Sequence, residues 1–292
     1  SDGFNSAARD IIRWTQVINK YSAGIPFPII SKKWFPAPLN FKLKRALNEY
    51  RSFISKTIEA RKGNELGEDL LSIFLGMRDE ETGQSMNDDE IGEEVLGIIV
   101  GGQETSATAL VWTLYELSHN AEVEEKLLNE IMEVTNGDQI KFSSIRELKY
   151  LKMVIQESMR LHPPFWFENR NAMHDVELGG VHIRKGSMIA FSRYALHRNK
   201  NYWEDPETFN PDRFDEDSSR VKNELQSSAY LPFSSGPRIC IGRHFAMMEM
   251  MVILCSVLQK YKLRVSSHYK HKVAINLTME PKGGLPVIIE RR

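Results

Sequence analysis

One segment, from Asn87 to about His119, is predicted to form a single long helix, and this prediction constrains the fold most. It opens with a capping box: Asn87 can cap the first turn, while Glu90, three residues later, reaches back to the Asn87 amide. Helices of globular proteins average about three to four turns, so this one is exceptional in length. The segment therefore indicates a mainly helical architecture.

Helical periodicity dominates the chain up to Leu161, where Pro163 and Pro164 end it. Further helices are predicted over residues 7–21, 40–61, 68–77 and 121–135, with two more inside 144–161. A loop rich in proline and aromatic residues is predicted over 24–38. Short strands are predicted at 176–178, 181–183, 187–191, 262–265, 273–279 and 285–290. The expected fold class is thus mainly α with minor β, without a clean domain boundary.

Charge and cysteine content narrow the class of protein. The 292 residues carry 38 basic and 39 acidic side chains, which gives no reason to expect a nucleic acid as partner. The two cysteines, Cys240 and Cys255, argue against a disulfide framework and suit a reducing compartment. The longest apolar stretches, 95–100 and 250–258, are far shorter than a membrane span. We therefore expect a cytoplasmic protein without a transmembrane segment.

Residues 233–242, Phe-Ser-Ser-Gly-Pro-Arg-Ile-Cys-Ile-Gly, surround a cysteine with groups that suit a metal-bound thiolate. Gly236 allows a tight turn, Arg238 adds a permanent cation, and Gly242 leaves room for a flat ligand. An apolar helix is predicted to follow, so Cys240 lies just before or in its first turn, where the helix dipole favours a thiolate. For a lone cysteine a buried free thiol is the commoner role, but the pattern around Cys240 favours the ligand.

Two adjacent glycines stand in the middle of the predicted long helix. Gly101 and Gly102 together cost about 2 kcal/mol relative to alanine, so they need a reason. One reason is a close-packed neighbouring segment, and the other is a local opening of the helix that admits ligand and water. Glu104 and Thr105 follow directly and place a carboxylate beside a hydroxyl, a pair suited to relaying protons.

Charged residues also cluster around the prolines in the second half of the chain. Glu157 and Arg160 lie three residues apart and share a helix face, although such a pair is often only a minor surface ion pair. Arg213 follows within Asn-Pro-Asp-Arg-Phe. Arg170 opens the strand-rich part, where it is either a carboxylate-binding arginine or an ordinary surface one.

Together these segments are similar to four motifs of the cytochrome P450 haem-thiolate monooxygenases, in the same order: Gly-Gly-Gln-Glu-Thr, Glu-Ser-Met-Arg, Asn-Pro-Asp-Arg-Phe and the cysteine loop. The chain is identified as a member of that family. The resemblance implies the cytochrome P450 fold, with residues 1–292 as the C-terminal part of a single domain. Residues 1–161 would be its helical part, and 162–292 would hold the short strands, an irregular meander, the cysteine loop and its helix.

The resemblance further implies haem b, with its iron bound by Cys240 as axial ligand. Some relatives bind haem covalently through a glutamate of the long helix, but Gly101 occupies the matching position here, so non-covalent haem is expected. The implied cofactor-binding residues besides Cys240 are Arg170, Phe233, Gly236, Arg238 and Gly242. The two arginines would contact the haem propionates.

The family resemblance also implies an activity. It assigns Thr105 to hydrogen-bond bound dioxygen and Glu104 to help deliver the protons that split it, so both are candidate catalytic residues. Glu157, Arg160 and Arg213 would form a buried structural network. The reaction would use O₂ and two electrons to hydroxylate a hydrophobic substrate. The motif style is similar to bacterial relatives of fatty-acid hydroxylases, which suggests a long-chain, fatty-acid-like substrate.

Two further expectations concern partners. A ferredoxin or a flavoprotein reductase would supply electrons by docking near Arg238, Arg243 and His244, where the positive charge suits an acidic partner. By the resemblance, the N-terminal portion of the fold would precede Ser1, which would leave apolar faces of the long helix and the Cys240 helix exposed as association surfaces. The alternative is a family-derived fragment without stable haem binding or catalysis of its own.

Overall fold

The computed structural model describes residues 10, 13–14, 17, 38–62, 67–215, 228–270 and 272–292. The chain forms two compact units, Ser1–Gln103 and Glu104–Arg292. The helix predicted over 7–21 and the loop predicted over 24–38 fall almost entirely outside the described residues. Within the described ranges, no helix combines the length and apolar character needed to cross a membrane.

The helices agree with the sequence prediction to within a few residues, apart from one short helix, Arg193–Leu196, that was not predicted. They are α1 (Pro38–Arg61), α2 (Leu70–Gly76), α3 (Asp88–His119), α4 (Ala121–Thr135), α5 (Lys149–Leu161), α6 (Arg193–Leu196) and α7 (Arg243–Leu258). Short 3₁₀ helices occur at Phe142–Glu147, Pro211–Phe214 and Gly236–Arg238. The long helix is thus confirmed as one continuous element, and the two helices expected inside 144–161 are a 3₁₀ turn followed by α5.

The first unit is built on one face of α1. Ala46, Tyr50, Ile54 and Ile58 follow at four-residue spacing, which places them on the same side of the helix, and all four are buried. They pack in a cluster with Ile91 of α3. The Tyr50 hydroxyl donates a hydrogen bond to the carbonyl oxygen of Gly92 at 2.6 Å, so its polar end is satisfied inside this cluster.

The predicted capping box at the start of α3 is confirmed. The side-chain oxygen of Asn87 accepts from the Glu90 amide at 3.0 Å, and the Glu90 carboxylate accepts from the Asn87 amide at 2.8 Å. Two amides that the helix itself cannot pair are thereby satisfied, which fixes the residue at which the helix begins.

The second unit has a helical core around α5. Val154 and Ile155 follow Leu151 by three and four residues, and all three are fully buried. They belong to a cluster with residues of α4 and α7. Leu127 of α4 and Leu254 of α7 lie in the same cluster. This packing gives the segment that carries Glu157 and Arg160 a fixed place beside the helix that follows Cys240.

The described strands form four separate two-stranded antiparallel sheets. Strand β1 (Phe167–Asn171) pairs with β4 (Met188–Ser192), and β2 (Val176–Leu178) pairs with β3 (Val181–Ile183). Near the C-terminus, β5 (Tyr261–Val265) pairs with β8 (Val287–Arg291), and β6 (Val273–Ile275) pairs with β7 (Met279–Pro281).

Two strand predictions differ from the structure. Strand β1 was not predicted, because Phe-Glu-Asn-Arg-Asn lacks β-branched residues and alternation; its partner β4 holds it extended. The single strand predicted over 273–279 was wrong: the chain reverses there to form the β6–β7 hairpin. The Asn276 amide donates to the Thr278 carbonyl at 3.0 Å within that turn, and asparagine favours such a reversal.

Candidate active site

A compact loop presents Cys240 to the outside. The Cys240 amide donates a hydrogen bond to the carbonyl oxygen of Phe233 at 2.9 Å, which closes the loop on itself. Ser234 and Gly236 have φ angles of 64° and 68°, the left-handed conformation that such a tight reversal requires. The 3₁₀ turn Gly236–Arg238 continues the loop toward the cysteine. Because Cys240 is exposed, the alternative of a buried free thiol does not apply.

The space beside the Cys240 sulfur is kept open by a glycine. Helix α7 begins at Arg243 with Gly242 as its N-cap, so Cys240 lies just ahead of the first turn as predicted. A Cβ on Gly242 would lie 4.0 Å from the Cys240 sulfur and meet no other described atom within that distance. A ligand can therefore approach the sulfur from this side, with the N-terminus of a helix nearby.

Apolar side chains flank the exposed thiol. Ile239, Ile241 and Phe245 are 39%, 96% and 64% exposed. A cluster of apolar residues as exposed as these is typical of a surface that a ligand or another segment covers. The surroundings of the sulfur thus suit a flat, hydrophobic group more than a hydrated metal ion.

The second cysteine, Cys255, is a buried structural thiol and contrasts with Cys240. Cys255 of α7 is fully buried in the helical core. Burial raises the pKa of its thiol to about 11, so it stays protonated at neutral pH. Only the thiolate ligates metals well, which leaves Cys240 as the candidate ligand.

The two arginines predicted to bind carboxylates lie in different surroundings. Arg238 is exposed in the cysteine loop. Arg170 of β1 forms an ion pair with the buried carboxylate of Glu168 and donates to the carbonyl oxygen of Asn169 at 2.8 Å. Its side chain remains 46% exposed, so one face of the guanidinium is still accessible. Arg170 is therefore a paired arginine, a role that the sequence did not reveal.

The structure supports neither of the two reasons that the sequence suggested for the glycine pair of α3. Gly101 and Gly102 are exposed, and a Cβ on either would meet no described atom within 4 Å, which argues against a close-packed neighbour. The α-helix continues through both residues, so the predicted local opening was wrong. The cost of glycine, about 1 kcal/mol each, is too small to interrupt a helix held by many turns on either side.

The carboxylate of Glu104 has a fixed partner. The Thr278 hydroxyl donates a hydrogen bond to Glu104 Oε1 at 2.8 Å, and Thr278 is fully buried in the β6–β7 turn. Glu104 and Thr105 are both partly buried. The Met279 amide donates to the carbonyl oxygen of Pro164 at 2.9 Å, which ties this turn to the segment after α5. Oε1 of Glu104 is thus held by a buried hydroxyl, while Oε2 takes no part in this hydrogen bond.

The structure brings Glu157, Arg160 and Arg213 together. Glu157 and Arg160 are fully buried and joined by two hydrogen bonds of 2.8 and 2.9 Å. Arg213 donates to Glu157 Oε1 at 3.3 Å, and the Asn210 amide donates to the same oxygen at 2.9 Å. Burial raises the pKa of Glu157, and the hydrogen bonds from Arg160 oppose that rise. This paired geometry is a packing device that joins α5 to the segment before the cysteine loop.

His197 links that network to Leu231, two residues before the cysteine loop, and was not singled out from the sequence. Its carbonyl oxygen accepts from Arg160 Nη1 at 2.8 Å, and its Nε2 accepts from the Leu231 amide at 3.0 Å. The ring is fully buried, which lowers its pKa to about 3 and keeps it neutral. No spacing pattern marks this histidine, because its partners are backbone groups distant in sequence.

Known proteins resemble this chain in sequence. A family model described as "Cytochrome P450" matches residues 3–285. Cytochrome P450 709B3 of Arabidopsis thaliana is 32% identical over 315 residues, covering 99% of this chain and 60% of the relative. Cyclooctat-9-en-7-ol 5-monooxygenase of Streptomyces melanosporofaciens is 34% identical over 241 residues, covering 82% of this chain and 51% of the relative.

A solved structure has the same fold over nearly the whole chain. The cyanobacterial CYP120A1 with bound retinoic acid superposes with a TM-score of 0.88 at 25% identity, covering 97% of this chain and 63% of that protein. The chain thus spans about half to three fifths of the length of the curated relatives named above. The expected architecture, mainly α with minor β in the arrangement of these relatives, is confirmed.

Proposed function

Because the chain belongs to the cytochrome P450 family, we propose that it forms the haem-binding part of a monooxygenase in which Cys240 ligates the iron. The observation that carries the proposal is the exposed Cys240 sulfur, presented by a closed loop ahead of α7 with free space over Gly242. When bound, haem supplies the reductive activation of dioxygen and the insertion of one oxygen atom into a C–H bond. The chain itself contributes ligation, orientation and proton handling.

The residues around Cys240 suit haem in shape and charge. The open space beside Gly242 and the exposed Ile239, Ile241 and Phe245 match a flat apolar macrocycle. Arg238 is exposed in the same loop and would bind a propionate through its forked donors. Arg170 would bind the other propionate through the accessible face of a guanidinium already paired with Glu168. Haem b without a covalent link is the form we propose.

Glu104 and Thr105 would handle protons. The hydrogen bond from Thr278 orients the Glu104 carboxylate by one oxygen, so Oε2 is the atom that would take up and release a proton. Thr105 follows Glu104 on the same helix and would pass that proton through its hydroxyl. Thr278 is thus a positioning residue for Glu104.

The substrate is proposed to be hydrophobic, with long-chain fatty acids as the candidate class. Two relatives support an apolar substrate: the cyanobacterial structure contains retinoic acid, and the Streptomyces enzyme is named for a cyclooctatenol. Both compounds combine a hydrocarbon skeleton with one polar group. A fatty acid has the same character, and dodecanoic acid is a suitable first probe.

A redox partner would supply the electrons. His244 and Arg238 are exposed, and Arg243 Nε donates to His244 Nε2 at 3.1 Å. The positive charges of Arg238 and Arg243 thus lie close together in sequence at the start of α7. An acidic ferredoxin or flavoprotein reductase would be attracted to this surface, and its association would weaken as salt rises. Cytoplasmic location is the compartment we propose, since both cysteines are free.

The decisive experiment tests haem ligation. We expect the purified chain, reconstituted with haem, reduced and exposed to carbon monoxide, to show the absorption band of thiolate-ligated haem. Cys240→Ser should abolish this band, and Cys255→Ala, which changes the buried cysteine, should keep it. Absence of the band in the parent chain would favour the alternative function, a family-derived fragment without stable haem binding of its own.

A further inference from the structure

A buried ion cluster lies beside the cysteine loop, and two of its members, Glu168 and Arg193, belong to none of the motifs above. Arg193, the first residue of α6, is only 4% exposed. It forms an ion pair with Glu168 of β1, whose side chain is 11% exposed. The same carboxylate also pairs with Arg170. Arginine is almost never fully buried unless it is paired, because removing its charge from water is expensive.

The cluster contacts the cysteine loop at the residue where the loop turns. The Ser234 hydroxyl donates to Glu168 Oε1 at 3.0 Å. Ser234 has the positive φ of 64° and directly follows Phe233, whose carbonyl oxygen accepts from the Cys240 amide. A non-glycine residue in this conformation is strained, so an external hydrogen bond helps to keep it there. Arg193 in turn donates to the carbonyl oxygen of Phe165 at 3.0 Å.

The charges in the cluster do not balance. Two guanidinium groups, from Arg170 and Arg193, share the single carboxylate of Glu168. Arg193 Nε is buried and has no hydrogen-bond partner among the described residues. Burial lowers the pKa of Arg193, while the negative charge of a Cys240 thiolate raises it. The ion pair of Arg193 with Glu168 and the hydrogen bond from Ser234 to Glu168 join this buried charge to the cysteine loop.

We propose that Glu168 and Arg193 are positioning residues for Cys240. Glu168, through Ser234, holds the loop in the shape that presents the sulfur, and Arg193 would supply a buried positive charge that stabilises added negative charge on an iron bound by Cys240. The inference rests on Cys240 as the haem ligand proposed above. It adds roles for Glu168 and Arg193, which would act on Cys240 through other groups rather than by direct contact.

If Arg193 acts electrostatically, removing the charge of Arg193 and removing the charge of Glu168 should shift the midpoint potential in opposite directions. Addition of one electron from a chemical reductant makes the iron–thiolate unit more negative. Arg193→Met removes positive charge and should lower the midpoint potential of the haem-loaded chain. Glu168→Gln removes the neutralising carboxylate and should raise it. We expect changes of about tenfold in the equilibrium constant for reduction, or about 59 mV for one electron.

Shifts of the midpoint potential in opposite directions distinguish the electrostatic role from a purely structural one. A purely structural pair, when broken from either side, would move the potential in the same direction or leave it unchanged, and either result would overturn the electrostatic role. Arg193→Lys keeps the charge and should keep the potential close to that of the parent. Arg198→Met, which removes a neighbouring arginine paired with Glu207, is the control. If Arg193→Met does not fold, the isosteric Glu168→Gln decides the matter through the sign of its shift.

The loop-holding role is tested without haem. Ser234→Ala removes the hydroxyl that Glu168 accepts from, and should speed hydrogen exchange at the Cys240 amide several-fold relative to the parent. Ser235→Ala is the matched control, because Ser235 is exposed and makes no capping hydrogen bond. Equal exchange in both variants would overturn the loop role. Absence of the thiolate band from the parent would remove the proposed function and the electrostatic role together, and hydrogen exchange would still decide the loop role.

Discussion

The hydroxyl of Thr278 donates to the carboxylate of Glu104 across 174 residues of sequence, at 2.8 Å. Thr278 is fully buried in the turn between β6 and β7, whereas Glu104 is partly accessible on α3. A carboxylate held by one oxygen keeps its second oxygen in a defined position. The β6–β7 turn therefore does more than close a small sheet, since it sets the orientation of the acid proposed to handle protons.

Replacing Thr278 should impair proton delivery more than haem binding. Thr278→Val keeps the shape of the side chain but removes the hydrogen bond, worth about 0.5–1.5 kcal/mol. We expect the share of electrons that end in hydroxylated product to fall roughly two- to tenfold. The measurement compares product from dodecanoic acid with NADPH consumed, using a ferredoxin and its reductase. Thr278→Ser keeps the hydroxyl and should behave like the parent; an equal loss in both variants would contradict the role.

The buried pair Glu157–Arg160 should contribute strongly to stability. Both side chains are fully buried, and Arg160 also donates to the backbone carbonyls of His197 and Pro206. Glu157→Gln leaves the guanidinium buried without its counter-charge, which costs about 3–5 kcal/mol in the free energy of unfolding. Urea denaturation, monitored by circular dichroism, measures this change in the free energy of unfolding.

The control for this prediction is an exposed ion pair. Lys62 and Asp88 lie 2.6 Å apart with side chains about half exposed. Lys62→Met should cost less than about 1 kcal/mol, since water and salt screen such a pair. If Glu157→Gln proved as mild as Lys62→Met, the network would not stabilise the fold as its burial indicates.

Local chemistry explains which parts of the fold could be predicted. The capping box at Asn87 and Glu90 fixes the start of α3 through contacts three residues apart, so the sequence displays it directly. The exposed loop before α7 was likewise predictable, because Gly236 and Gly242 mark the positions that need a positive φ or free space. These features depend on near neighbours in sequence.

Long-range pairing explains what the sequence did not reveal. Strand β1 is polar and becomes a strand only because β4 pairs with it. Glu168, Arg193 and Thr278 acquire their roles from partners between 25 and 174 residues away. A residue whose function lies in such contacts looks ordinary in the sequence. The glycine pair shows the converse, since both explanations offered for it were based on local sequence, whereas α3 continues through the pair.

Glycine substitutions should separate loop stability from ligand access. Gly236 has a φ of 68°, so Gly236→Ala is strained and should lower the free energy of unfolding by about 1–2 kcal/mol. Gly242 has a φ of −84°, which alanine adopts freely, but its new Cβ would stand 4.0 Å from the Cys240 sulfur. Gly242→Ala should therefore spare stability and weaken haem affinity, as haem titration would measure. Equal affinity in Gly242→Ala and the parent would contradict the proposed approach of haem.

Burial of the His197 ring should lower the free energy of unfolding at acid pH. Its pKa is about 3 in the folded chain, against an ordinary value of about 6.5 when unfolded, because the ring is buried as a neutral acceptor for the Leu231 amide. Above pH 6.5 neither state is protonated, so the ring adds no pH dependence. As pH falls from about 6.5 toward 3, only the unfolded state binds the proton, and stability drops by up to about 1.4 kcal/mol per pH unit.

A non-titrating substitute isolates this effect. His197→Gln keeps a hydrogen-bond acceptor for the Leu231 amide but cannot bind the proton, so its free energy of unfolding should fall less steeply than that of the parent between pH 6.5 and 4. Exposed His174 supplies the matched control, and His174→Gln should leave the slope unchanged. Urea titrations at half-unit pH steps give both slopes. Parallel curves for His197→Gln and the parent would mean that His197 is protonated as readily in the folded chain as in the unfolded one, and that the Leu231 hydrogen bond does not hold it neutral.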